Sequence, residues 1–143
     1  MSTQVEEPGG TEGRWRVLLV DDQPHVLRVL RLTLEREGFE VATAGNGKEA
    51  LWIAELRMPA AVVTDIQMPQ MDGRQFCAAL DQLYPDRSFP IFVMTSMTER
   101  SEREWSAKMR DVVFLEKPVS PRELAARLTA RRSAAMAGAA CPS

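Results

Sequence analysis

VLLVDDQP, residues Val17–Pro24, is the stretch from which the fold can be read. Four aliphatic residues in a row leave no polar face, so a strand over Val17–Val20 is buried on both sides. The run breaks on two carboxylates, Asp21 and Asp22. Pro24 then suits the first turn of a helix, where its missing N–H has no partner to lose, with Asp22 or Gln23 as the cap. Val26, Leu27, Leu30 and Leu34 follow at i, i+3/i+4 spacing. Gly38 stands where a helix C-cap passes into the next strand. The local order is therefore strand, acidic turn, helix, strand.

The same alternation continues outward. Strands are expected at Arg16–Val20, Phe39–Thr43, Ala61–Thr64, Pro90–Met94 and Val112–Leu115. Helical spacing recurs in Ala50, Leu51 and Ala54, in Phe76, Ala79, Leu80 and Leu83, and in Leu124, Ala125 and Leu128. A further helix is placed between Thr98 and Met109. Thr98 caps it and Glu99 and Glu102 favour its early turns. Its few apolar residues leave tertiary packing to hold it only loosely. Five strands alternating with five helices give an α/β fold. The runs VLLV, AVVT and IFVM are apolar on both faces, as buried parallel strands require. Right-handed crossovers then wind the sheet on both sides.

The chain has 143 residues, 45% hydrophobic and 27% charged, which suits one soluble domain. That balance excludes a disordered chain, a collagen-like repeat and a disulfide miniprotein. No apolar run approaches the ~20 residues that cross a bilayer, and Met1–Gly13 lacks the apolar centre of a signal peptide. A cytoplasmic protein without membrane contact is expected. The net charge is −2, and the arginines are dispersed, so they read as a solvated surface rather than a nucleic-acid face. Cys77 and Cys141 form no CxxC, which excludes a zinc site, and no disulfide is expected in a reducing compartment. Residues 1–13 read as a disordered acidic lead-in and 14–132 as the folded domain. Residues 133–143 read as a flexible Ala-rich tail that adds at most a turn to the last helix before Gly138 and Pro142 end it.

Polar residues collect where the strands end. The first runs into Asp21 and Asp22, the third into Asp65, the fourth into Thr95 and Ser96, the fifth into Lys117 and Pro118. In an open parallel sheet these carboxyl ends share one edge, where such sheets bind ligands. Three converging carboxylates repel one another unless a hard cation joins them. Mg²⁺ (or Mn²⁺) fits, because it takes few carboxylates and keeps water and phosphate oxygens. Lys117 supplies a point charge and Thr95 a hydroxyl. Metal, lysine and an attacking carboxylate are the parts of a phosphoryl-transfer site.

These residues resemble the receiver domain of two-component response regulators, over about residues 15–130. Asp21–Asp22 match the family's acidic pair, and Asp65 in DIQMPQMDG its phosphoacceptor. Met68-Pro69 and Met71-Asp72-Gly73 follow at the family's spacing. Thr95, Lys117-Pro118 and the aromatic Phe114 take the remaining motif positions. The resemblance implies a flavodoxin-like sheet in the order 2-1-3-4-5. It implies Mg²⁺ held by Asp65, Asp22 and the main-chain carbonyl of Gln67, with Asp21 acting through water. It also implies a histidine kinase or histidine phosphotransfer protein as donor, and a switch running through Thr95 and Phe114. Output then goes by protein contact or phosphorelay, through the 98–132 face. Lys108-Met109-Arg110 departs from the Ala-Gly usual before the last strand.

Three other readings compete. A flavin carrier needs a phosphate-cradling loop after the first strand, and Asp21-Asp22-Gln23-Pro24 would repel a phosphate. A phosphatase needs a cap or substrate pocket. A receiver fragment of a longer regulator shares every motif. His25 reads as a first-turn surface residue, Trp15 as an edge cover and Trp52 as packed against the core. Trp105 reads as packing or a partner anchor, Cys141 as a tail thiol. A cis peptide is expected at Lys117–Pro118.

Overall fold

The computed structural model describes residues 15–96, 107 and 109–140. Five strands alternate with helices: β1 Arg16–Val20, α1 Pro24–Arg36, β2 Glu40–Ala44, α2 Gly47–Leu56, β3 Ala61–Asp65, α3 Gly73–Leu83, β4 Ile91–Thr95, β5 Val112–Glu116 and α4 Pro121–Ala140. The strands form one sheet in the order β2-β1-β3-β4-β5, all pairs parallel. This is the doubly wound architecture read from the sequence, in the strand order that the resemblance implies. The helix expected between Thr98 and Met109, with Trp105 on it, lies outside the described residues, as do the lead-in and Cys141.

Side-chain alternation sends successive strand residues to opposite cores. Val17, Leu19, Val63, Phe92 and Met94 pack with Leu30 and Leu34 of α1 and Leu124 and Leu128 of α4. Leu18, Val20, Val62, Ile91 and Val93 pack with Ala50 and Ala54 of α2 and Phe76 and Leu80 of α3. Helices thus cover both faces, which is why the central strands tolerate no polar alternation.

The punctuation residues act as expected. Pro24 opens α1 behind the N-cap Gln23. Gly38 takes φ 93°, donating to the Glu35 carbonyl at 3.0 Å as α1 ends. β3, β4 and β5 each reach one residue further than the sequence indicates, which draws Asp65 and Thr95 into the ladder.

Three expectations are corrected. Trp52 does not face the core. It is 61% exposed, because α2 turns its small residues Gly47, Ala50 and Ala54 inward. The last helix does not stop a turn past 132 but runs through Gly138 to Ala140. Its alanines carry the highest helix propensity, enough to absorb one glycine at about 1 kcal/mol. Nor are all the arginines solvated. The Arg87 side chain is fully buried, ion-paired to Asp81 at 2.7 Å and bonded to the Arg110 carbonyl. Arg110 donates back to the Arg87 carbonyl at 3.3 Å, and Arg131 of α4 pairs with Asp111. These arginines tie the turn before β4 to the turn before β5, where the Ala-Gly pattern is missing.

Candidate functional site

The parallel ladder places the chemistry. Asp21 follows β1 and is buried, its Oδ1 accepting the Gln23 N–H at 2.9 Å. Asp22 beside it is exposed. Asp65 closes β3 and is 4% exposed, and Thr95 closes β4, also buried. Lys117 comes one residue after β5. Its N–H donates to the Thr95 carbonyl at 2.8 Å, so the β4–β5 pairing itself carries the lysine to the edge. The Lys117–Pro118 peptide is cis, as expected.

Lys117 Nζ lies 2.8 Å from Asp65 Oδ1, which also accepts the Ile66 N–H at 2.8 Å. Asp21, Asp22 and Asp65 each offer a carboxylate oxygen, and these lie within 4.8 Å of one another. One ammonium therefore faces three carboxylates. Burial pushes the Asp21 carboxyl above its ordinary range, and the charges of Asp65 and Asp22 push the same way. The Gln23 N–H and the Lys117 ammonium oppose them. An all-oxygen donor set with negative charge left over after its lysine is matched to a hard divalent cation, so the residues fit Mg²⁺ or Mn²⁺. Asp22, Asp65, Gln67, Thr95, Ser96 and Lys117 line a cleft of about 530 Å³.

The loop after β3 fixes the backbone of Asp65. Gly73 donates to the Ile66 carbonyl at 2.7 Å, and a Cβ there would lie 2.2 Å from the Asp65 carbonyl oxygen. No side chain fits at that separation. Asp72 caps α3 reciprocally with Gln75 (2.8 and 3.1 Å), holding the glycine in place. Thr64, fully buried, donates its hydroxyl to the same Asp65 carbonyl at 2.8 Å.

Asp21, Asp22, Asp65, Thr95 and Lys117 are thus brought together, and Gln67 lines the same cleft. Phe114 is not part of it. It is half-buried, in register with Val93, on the α2–α3 side of the sheet. His25 is exposed on the first turn of α1, away from the cleft lining. The steric role of Gly73 and the bond from Thr64 escaped the sequence reading. A lone threonine in the otherwise apolar AVVTD run was the available signal for the second.

Residues 17–129 match the response regulator receiver domain family. The alkaline phosphatase synthesis transcriptional regulatory protein PhoP of Bacillus subtilis is 37% identical over 120 residues, covering 82% of this chain and 49% of that protein. An uncharacterized 14.6 kDa protein of Leptolyngbya boryana is 35% identical over 108 residues, covering 76% of this chain and 82% of that protein. The chain spans about half the length of the transcriptional regulators it matches. Among solved structures, the Vibrio cholerae chemotaxis protein CheY4 superposes with a TM-score of 0.75 at 29% identity, covering 81% of this chain and 97% of that one. A CheY-like receiver domain protein of Methanospirillum hungatei gives 0.76 at 26% identity, over 84% and 94%.

Proposed function

The chain belongs to the response regulator receiver domain family, and from that premise we propose that it accepts a phosphoryl group on Asp65 and switches a protein partner by doing so. The observation that carries the reading is the 2.8 Å contact between Lys117 Nζ and Asp65 Oδ1 beside two further carboxylates.

Asp65 Oδ1 is engaged by Lys117 and the Ile66 N–H, which leaves Oδ2 as the nucleophile. It attacks the phosphorus of a phosphohistidine on a histidine kinase or phosphotransfer protein. An acyl phosphate forms on Asp65, the N–P bond breaks, and the departing imidazole takes a proton. Lys117 neutralises charge on the phosphoryl oxygens. Asp21, Asp22, Asp65 and the Gln67 carbonyl would hold Mg²⁺ or Mn²⁺, which when bound lowers the charge repulsion between the carboxylates and the phosphoryl group. Burial of Asp65 limits the access of bulk water to the mixed anhydride that forms.

Phosphorylation then offers Thr95 a new acceptor. Its hydroxyl turns toward the phosphoryl group, and Phe114, two strand positions from the site, moves into the space released. The face over residues 98–132 changes shape and engages the output partner. The protein is a phosphoacceptor that promotes its own phosphorylation and dephosphorylation, not an enzyme for a separate substrate. Nucleic-acid contact is not assigned to this chain.

The test is intact-mass measurement after incubation with MgCl₂ and a small acyl-phosphate donor. Wild type should gain the mass of one phosphoryl group, and Asp65→Asn none. Retained labelling in that variant overturns the assignment.

A further inference from the structure

Helix α2 exposes what a surface helix normally hides. Trp52 is 61% exposed, Leu56 one turn later 67%, and Met58 just past the helix end 53%. At ~100° per residue these positions lie opposite the buried Gly47, Ala50 and Ala54, so they point straight into solvent. Contiguous exposed apolar residues centred on a tryptophan are the usual composition of an interaction surface.

The charges around the tryptophan say what covers it. Lys48 lies four residues before Trp52 and Glu55 three after, on the same side of the helix and about two turns apart. Both are exposed, and neither has an ion-pair partner among the described residues. The neighbouring charges are already engaged: Glu49 accepts the Gly45 N–H at 2.8 Å, and Arg57 pairs with Glu40 at 2.9 Å. One positive and one negative charge placed symmetrically about an apolar centre make a self-complementary surface.

We propose that this face is the interface of a two-fold symmetric homodimer, with α2 packed antiparallel against α2 of a second copy. An isologous interface requires each element to meet its own complement across the axis. With the axis between Leu51 and Trp52, Lys48 meets Glu55 of the partner subunit at both ends. The Trp52 rings pack beside the axis, and Leu56 and Met58 close the flanks. The antiparallel arrangement also sets each helix N-terminus near the other's C-terminus, so the dipoles attract. A partner of a single charge sign would leave one of the two flanking charges opposed. Because α2 packs over β1 and β2, at the far end of the sheet from β5, the dimer leaves β5 uncovered.

Sedimentation velocity over a concentration series of the full chain, without phosphodonor, tests this. Wild type should show a concentration-dependent monomer–dimer equilibrium. Trp52→Ala should raise the dissociation constant about tenfold or more, with an unchanged melting temperature at concentrations low enough for both proteins to be monomeric, where the side chain is exposed. Lys48→Glu should weaken the dimer, and Lys48→Glu with Glu55→Lys should restore it, since the pair is reversed at both ends. A wild type that stays monomeric throughout, a dimer indifferent to Trp52→Ala, or a double reversal that fails to restore association overturns the proposal. So does a wild-type monomer that gains mass only when an unlike protein is added, which gives the face to a different partner.

Discussion

Replacing Asp21 by Asn removes one of the three carboxylates and little else. The amide oxygen can still accept the Gln23 N–H that Oδ1 accepts at 2.9 Å. Two unit charges about 5 Å apart interact by about 3 kcal/mol at an effective dielectric constant of about 20. In metal-free protein Asp21 feels that repulsion from Asp65, and a weaker, solvent-screened one from the exposed Asp22. The Lys117 ammonium offsets part of it. A net stabilisation of about 1–3 kcal/mol remains for Asp21→Asn, or roughly 3–9 °C in melting temperature for a chain of this size. The pH dependence follows the same carboxyl, which burial first and its acidic neighbours second push above the ordinary range. The folded-state pKa of Asp21 lies above the ordinary 3.8, so the wild type loses stability as pH rises from 3.8 through the raised value. Below that window the two proteins differ little, and above it the advantage of Asn is constant. Metal works against that advantage. The cation stabilises the folded wild type by mass action, and losing one anionic donor should weaken its binding by about 10–100-fold. Thermal melts of both proteins in EDTA and in saturating MgCl₂, repeated across pH, read every part. A variant that melts at or below wild type in EDTA at neutral pH, or that gains as much as wild type from Mg²⁺, would refute the reasoning.

Two further outcomes follow from the packing. Gly73→Ala places a Cβ 2.2 Å from the Asp65 carbonyl oxygen, and backbone on both sides cannot give way. The melting temperature should fall by about 10 °C, at about 3 kcal/mol of overpacking, and Asp65 should phosphorylate more slowly. A melt within about 2 °C of wild type shows the loop free to relax. Phe114→Ala should leave the extent of Asp65 phosphorylation close to wild type, because Phe114 does not line the cleft. Hydrogen exchange over residues 98–132 should respond less to phosphorylation in that variant, and an undiminished response would confine Phe114 to core packing.

What the sequence determined by itself was local or periodic. Both faces of VLLV and AVVT are apolar, so their strands had to be parallel and covered twice. Pro24 and Gly38 mark helix ends through backbone restrictions that hold whatever surrounds them. Carboxylates, a threonine and a lysine that each follow a strand share the carboxyl edge of any parallel sheet, so the members of the site were legible before any contact was known. Tertiary structure decided the distances and the orientations. Asp65 and Lys117 come within 2.8 Å only because β4 lies between β3 and β5 in a fixed register. Gly73 matters through its closeness to a backbone atom of Asp65, which no motif spacing states. Arg87 became buried because the carboxylate of Asp81 on α3 and the carbonyl of Arg110 in the turn before β5 converge on it. Trp52 faces outward for a reason visible only in the packing. Gly47, Ala50 and Ala54 let α2 sit close on the sheet and against Met71, and an indole on that side would have held the helix away.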